Sequence, residues 1–297
     1  MGLWATTHSC LSDLTASKYV DNFELIVVSN GGDISREEAE IIRHLENLKE
    51  FKHIHEDAAL TPPAARTRGV VESSGEILCF LDNHCLVKPQ YFDRFSLDFG
   101  KGMDMVHSST CFHESDGVHY QYRLKLDYNF WAESVKTAKD DRPYMIAAGG
   151  HGGFAVRRSV WDAVGGYGPD DLFIGYGGEE LVFDLKLWRM GYKVHLDPKA
   201  IHYHYAGHRG YDRHFTDDYY TNLLVCANVI GGEKWFYKVF DSFISKVHMR
   251  LKPKKHWFDI LEEAYVRSAE YAQHLDNSCT QSLDDVLRWF RLNGVRA

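Results

Sequence analysis

Ile77-Leu78-Cys79-Phe80-Leu81-Asp82-Asn83-His84 decides how this chain is read. Ile77 to Leu81 is an unbroken apolar run with β-branched and aromatic members, the mark of a buried strand. Asp82 and His84 follow at spacing i, i+2. Open α/β sheets bind ligands there, beyond the carboxyl ends of their strands. A carboxylate offers a hard oxygen and an imidazole a nitrogen, and both can reach one divalent cation. Asp-Asn is also ordinary turn chemistry, so the rest of the chain has to decide.

Working outward, Phe23 to Ser29 is a second near-continuous apolar run, as expected of a strand buried on both faces. Asn30-Gly31-Gly32 breaks it. Ser35-Arg36-Glu37-Glu38 has the form of a capping box, and Ile41, Ile42, Leu45 and Leu48 follow at helical spacing. A loop around Pro62-Pro63 precedes a helix expected over Ala64–Ser73, and Gly75 ends it. Strand–helix–strand alternation of this kind implies a mostly parallel sheet covered by helices, an α/β fold.

Further along, a strand is expected over Met103–Ser108 and a helix over Leu124–Lys139. The glycine-rich loop Ala147 to Gly153 leads to a short strand, Phe154–Val156, and a short helix, Ser159–Val164. Glu179 to Met190 reads as a helix with Leu181, Leu185 and Trp188 on one face and Gly191 as its cap. Strands are expected at Tyr192–Leu196 and Ala200–Tyr205. Beyond Tyr211 the pattern turns helical, with helices starting near Asp259 and Ser282. The expected division is a catalytic domain over 1–210 and a helical extension over 211–297 packed on it.

The composition narrows the class. The 297 residues carry 44% hydrophobic and 14% aromatic side chains, enough for a sizeable core, and a formal net charge of −8. An acidic balance argues against a general nucleic-acid binder, which needs a basic face. No apolar stretch of about 18 residues is present, so no spanning helix is expected. The first residues lack the regions of a signal peptide. The six cysteines are scattered without a Cys-x-x-Cys pair, which favours reduced thiols in a cytoplasmic protein. Arg250 to Trp257 is basic and aromatic. It reads as a solvated turn or as a weak peripheral membrane contact.

Three segments look like one site: Asp82-x-His84, Gly177-Gly178-Glu179-Glu180, and His202-Tyr203-His204. Carboxylates in a first helical turn are favoured by the helix dipole, which holds them ionised. An ionised carboxylate there accepts a proton from a substrate hydroxyl; plain dipole complementarity is the competing reading. The two preceding glycines permit close backbone approach to a ligand. In a strand, His202 and His204 share a face, so either one can meet the metal. His195, His208 and His214 read as surface residues.

Leu81-Asp82-Asn83-His84-Cys85 and Gly177-Gly178-Glu179-Glu180-Leu181 resemble the GT-A-fold glycosyltransferases of family 2. The detail is most similar to the polypeptide N-acetylgalactosaminyltransferases, which carry Asp-x-His in place of Asp-x-Asp. The resemblance runs in order from Phe23 to His204 through Ala65-Arg66-Thr67-Arg68-Gly69, Gly75-Glu76-Ile77, Ala148-Gly149-Gly150 and Pro198. It implies a GT-A, Rossmann-like α/β fold and a nucleoside-diphosphate sugar donor, UDP-linked, held by Mn²⁺ or another divalent cation. Asp82, His84 and His204 would be the metal ligands, with His202 as the fallback. Imidazole ligation disfavours Mg²⁺, which prefers oxygen.

The same resemblance implies that Asn30, Arg66, Arg68, Asp82, Asn83, Gly149 and Gly150 face the donor. One of the two arginines is structural on this reading, and Arg66 is the better match. Ser29-Asn30 stands where the family more usually has an Asp pair. Glu180 would be the base of an inverting transfer, because the retaining N-acetylgalactosaminyltransferases have an amide there. Glu179 would support it or bind the acceptor, with Asp184 in reserve on the helix surface. The acceptor would be a hydroxyl of a glycan, a lipid-linked sugar or a protein. The rival readings are a non-catalytic nucleotide-sugar or carbohydrate binder on this scaffold and a nucleotidyltransferase.

Overall fold

The structure is a computed structural model, and it describes residues 23–33, 36–46, 50–82, 84–111, 119–125, 131–136, 142–150, 152–204, 217–247, 253–293 and 295. Ser35 of the capping box and the 210/211 division lie outside these residues.

The first layer alternates as the apolar runs dictate. Strand β1 (Leu25–Asn30) leads through α1 (Arg36–Leu45) to β2 (Phe51–Glu56), which pairs with β1 in parallel. Helix α2 (Pro62–Glu72) starts two residues before the expected Ala64. The Thr61 hydroxyl accepts the Ala64 N–H, and the prolines sit in the first turn, where their missing N–H groups cost nothing. Strand β3 (Ile77–Leu81) then runs up to Asp82.

Next come β4 (Cys85–Val87), α3 (Tyr91–Gly100), β5 (Met105–Cys111), β6 (His119–Lys125), β7 (Trp131–Lys136), β8 (Tyr144–Met145) and β9 (Gly153–Arg157). Helices α4 (Arg158–Val164) and α5 (Glu179–Arg189), the long strand β10 (Val194–His204), and helices α6 (Asp217–Val247), α7 (Trp257–Ser278) and α8 (Leu283–Asn293) complete the order.

The α/β class is as expected, but the main sheet is mixed rather than mostly parallel. Its order is β3-β9-β5-β10-β4. Within that order β5 and β10 are parallel, while β3–β9, β9–β5 and β10–β4 are antiparallel. The reversal comes from β9, which enters the sheet from the glycine loop without a crossover helix.

The helix expected over Leu124–Lys139 is replaced by β7 and the end of β6, an antiparallel pair. Tyr120, Tyr122 and Leu124 recur at period 2, which suits a strand. The two strands expected at Tyr192–Leu196 and Ala200–Tyr205 are one strand, β10. Its pairing with β5 shifts register between Asp197 and Ile201.

Helix α5 is buried on nearly every side instead of being amphipathic: Glu179 and every residue from Leu181 to Arg189 are buried. Its charged members are satisfied internally. Lys186 Nζ donates to the Gly166 carbonyl and, at 3.0 Å, to the Tyr271 hydroxyl. Arg189 reaches the Val229 carbonyl at 3.2 Å, the Gln281 carbonyl at 3.2 Å and Asp276 at 2.5 Å. The expected cap is present: Gly191 N–H donates to Trp188 O and Tyr192 N–H to Leu187 O. One apolar cluster runs from Phe154, Trp161 and Phe183 into Leu224, Phe236, Ile260, Leu275 and Phe290, so α6, α7 and α8 share a core with the sheet. Helix α6 is interrupted at Gly232, whose backbone is not helical. Among the described residues no helix is long and apolar enough to cross a membrane.

Candidate active site

Asp82 follows β3, and its N–H donates to Gly152 O at 2.9 Å, tying it to the start of β9. His84 precedes β4, and His204 closes β10, paired with Cys85 across the sheet. One short turn, between β3 and β4, and the end of β10, 120 positions further on, therefore deliver three side chains to one point. The His84 and His204 Nε2 atoms are 3.0 Å apart, and His204 Nε2 is 3.6 Å from Asp82 Oδ2. One ligating atom from each of the three lies within 4.8 Å of the others. Two imidazole nitrogens and a carboxylate oxygen converging like this fit a divalent transition-metal ion.

His202 does not join them, and the fallback assignment is corrected. It is wholly buried beneath the site, its Nδ1 2.8 Å from Ser108 Oγ and its Nε2 3.4 Å from Thr110 Oγ1. It shares a face with His204, but two residues deeper that face has become core. His195, expected at the surface, is half-buried in β10; His208 and His214 lie outside the described residues.

Arg66 is the hub. Its Nη2 donates to Asp82 Oδ1 at 3.0 Å and to Glu180 Oε1 at 3.3 Å, while Nη1 donates to the Tyr167 hydroxyl at 3.1 Å. Glu179 Oε1 lies 3.7 Å from Nη1. The guanidinium also lies over the Phe154 and Tyr167 rings.

This neighbourhood sets the carboxylates apart. Burial pushes the Asp82 carboxyl up, but the His204 hydrogen bond and the Arg66 charge outweigh it, so Asp82 is held well below the usual range. Burial pushes Glu180 up to about 7, against Arg66 and with the help of Glu179 and Asp82. Glu179 is raised as well, again chiefly by burial. At both glutamates burial is the largest effect on the carboxyl, and it acts against the helix dipole.

Arg68 is absent from this cluster. It pairs with Glu56 and Glu72, both at 2.7 Å, on a partly exposed face of α2. Asn30 sits exposed at the end of β1, its Oδ1 accepting the Leu60 N–H at 3.0 Å. Asn83 and His151 lie outside the described residues.

The glycines have a different explanation from the one expected. Gly149 and Gly150 are buried, and the Gly149 N–H already donates to Asp184 Oδ2 at 2.6 Å. A Cβ on Gly149 would stand 2.2 Å from the His107 ring. Asp184 is not on the surface: it is fully buried, with both oxygens 3.1 Å from His107 Nε2. Gly177 and Gly178 have φ of +108° and +91°, and a Cβ on either would strike Tyr219 or Cys226 Sγ. They make room for α6.

The sequence reading missed Tyr167, Tyr219, Asn222 and Cys226. Tyr167, Tyr219 and Cys226 read as core residues and Asn222 as an isolated amide in an apolar stretch, and only the fold shows that they back the site.

Known proteins resemble this arrangement. A curated protein of Macaca fascicularis described as an inactive polypeptide N-acetylgalactosaminyltransferase-like protein 5 is 24% identical over 206 residues, which is 65% of this chain and 46% of that protein. N-acetylgalactosaminyltransferase 7 of Drosophila melanogaster is 26% identical over 152 residues, 45% of this chain and 25% of that protein. The chain thus spans less than half the length of these relatives. The crystal structure of GalNAc-T7 with UDP, GalNAc and Mn²⁺ superposes with a TM-score of 0.64 at 17% identity, covering 91% of this chain and 54% of that one. The model of glycosyl transferase family 2 matches residues 2–165, from ahead of the first described strand through the Asp82–His84 turn to the end of α4. On that match, over more than half its length, the chain belongs to glycosyl transferase family 2.

Proposed function

We propose that this protein is a metal-dependent glycosyltransferase that moves a sugar from a nucleoside-diphosphate donor, UDP-linked, to a hydroxyl acceptor with inversion. The observation that carries the reading is the meeting of Asp82, His84 and His204 within 4.8 Å, beside an arginine that also touches Glu180. Asp82, His84 and His204 would hold the cation, Mn²⁺ by analogy with the GalNAc-T7 complex. When bound, it supplies positive charge to the departing diphosphate.

The chain's own residues do the rest. Arg66 adds a fixed guanidinium where negative charge develops, with no solvent to reorganise. Glu180, at the start of a rigid buried helix, takes the proton of the acceptor hydroxyl as that oxygen bonds to the anomeric carbon and the sugar–phosphate bond breaks. A carboxyl lifted to about 7 is matched to this task near neutral pH. Among the described residues Cys79, Cys85, Cys111, Cys226 and Cys279 form no disulfide, which supports a reducing, cytoplasmic location.

A second reading is favoured by the relative described as inactive: a binder of nucleotide sugar that does not turn it over. One experiment separates the two. UDP-, GDP-, CDP- and dTDP-sugars are offered with and without Mn²⁺, following both thermal shift and release of nucleotide. Stabilisation by a UDP-sugar with Mn²⁺-dependent UDP release supports the transferase. Stabilisation without release supports the binder, and no response to any donor overturns both.

A further inference from the structure

The loop that delivers Glu179 and Glu180 has no ladder of its own. It is Ile174-Gly175-Tyr176-Gly177-Gly178, outside regular structure and rich in glycine, so nothing in its own sequence gives it a shape. Its shape comes from α6. Asn222 is fully buried. The Ile174 N–H donates to Asn222 Oδ1 at 3.0 Å, and Asn222 Nδ2 donates to Ile174 O at 2.6 Å. One side-chain amide therefore satisfies both backbone groups of Ile174, as a neighbouring strand would.

One turn on, and on the same face of the helix, Cys226 Sγ donates to Gly178 O at 3.2 Å. Gly178 is the cap residue immediately before Glu179. The Tyr219 ring fills the space over Gly177. The loop is thus fastened at both ends to a single helix, and the glutamates begin where the second fastening ends.

We propose that Asn222 is a positioning residue for the transfer reaction: by bracketing Ile174 it fixes the loop whose far end carries Glu180, and so sets that carboxylate against the acceptor. This rests on the reading of Glu180 as the base. The side-chain hydrogen bonds of Asn222 go to Ile174 and not to the Asp82–His84–His204 cluster or Arg66, so its loss should spare donor binding and harm the chemical step. Misplacing a reacting group by about 1 Å costs on the order of a hundredfold.

The test uses the full chain with Asn222→Ala and Asn222→Asp, assayed with Mn²⁺ and the active UDP-sugar well below each variant's Tm. Asn222→Asp keeps the acceptor for the Ile174 N–H and loses the donor to Ile174 O, so it decides the matter where the alanine variant does not fold. The expected result is a fall in kcat of about tenfold or more, with donor KM and UDP affinity within about twofold of the parent. A parental kcat, or kcat and donor affinity falling together, overturns the inference. Glu180→Gln is assayed alongside. An active Glu180→Gln removes the base and this inference with it, whereas an inactive Glu180→Gln beside Asn222 variants of parental kcat removes this inference alone.

Discussion

Asp82 and Glu180 share one nitrogen: Arg66 Nη2 lies 3.0 Å from Asp82 Oδ1 and 3.3 Å from Glu180 Oε1. The residue assigned to the cation and the residue assigned to the acceptor are thereby held in register by a single guanidinium, with Tyr167 fixing its other end.

Removing that guanidinium should be costly. Arg66→Ala leaves Asp82, Glu179 and Glu180 facing one another without the guanidinium that joins them, and breaking a buried ion pair from one side costs about 3–5 kcal/mol. Chemical denaturation should show a loss of about 3 kcal/mol. Arg66→Lys should recover little, because one ammonium cannot reproduce the fork. A parental midpoint for Arg66→Ala would refute the hub.

Arg68→Ala provides the contrast. Its two ion pairs lie on a face that is 40% exposed at the arginine, and such pairs contribute about 0–1 kcal/mol. Stability should change within that range and transfer should be retained. A dead Arg68→Ala enzyme would return this residue to the donor site.

Asp82→Ala and His84→Ala should each abolish Mn²⁺-dependent binding of the UDP-sugar in a calorimetric titration, with the fold intact by circular dichroism. Donor affinity surviving in both variants would overturn the metal assignment.

Glu180→Gln should keep donor binding and lose transfer. The pH dependence has a definite sign. Burial raises this carboxyl from 4.5 to about 7, so the ionised base is present above that pH and disappears below it. At saturating donor, kcat should rise through about pH 7 and level off. A flat profile from pH 5.5 to 8.5 with active Glu180→Gln would exclude Glu180 as base.

Lys186 supplies a stability test independent of catalysis. Burial lowers its ammonium from 10.5 to about 7. Between those values the unfolded chain binds more protons than the folded one, so its contribution to stability rises with pH across that window. The stability of the parent relative to Lys186→Met should therefore grow from pH 7 to pH 10 in urea titrations. A constant difference would show that the lysine titrates normally.

Much of the site was legible because it lies at the ends of strongly patterned elements. The run to Leu81 places Asp82, and the strand to His204 fixes which side of the sheet its ring takes. What pattern could not supply was depth: His202 and His204 are equivalent by periodicity, yet one is sealed under Ser108 and Thr110. Nor could it supply long-range partners, since Arg66 and Glu180 are 114 positions apart. The role of the glycines before Glu179 in seating α6 could not be read from sequence, because close approach to a helix and close approach to a ligand demand the same residue. Helix α6 lies in the stretch expected to be helical beyond Tyr211, but no start was assigned to it, because its buried positions Leu223 to Ile230 carry no amphipathic stripe.

The register shift in β10 between Asp197 and Ile201 has a bearing on how this gene can change. Pro198 to Ala200 have no partner in β5, so the register of His204 is set by the pairs beyond them, Ile201 to Tyr203 with β5 and His204 with Cys85. Slippage of those pairs by one residue would turn His204 away from Asp82, whereas a codon gained in the unpaired stretch is absorbed by the bulge.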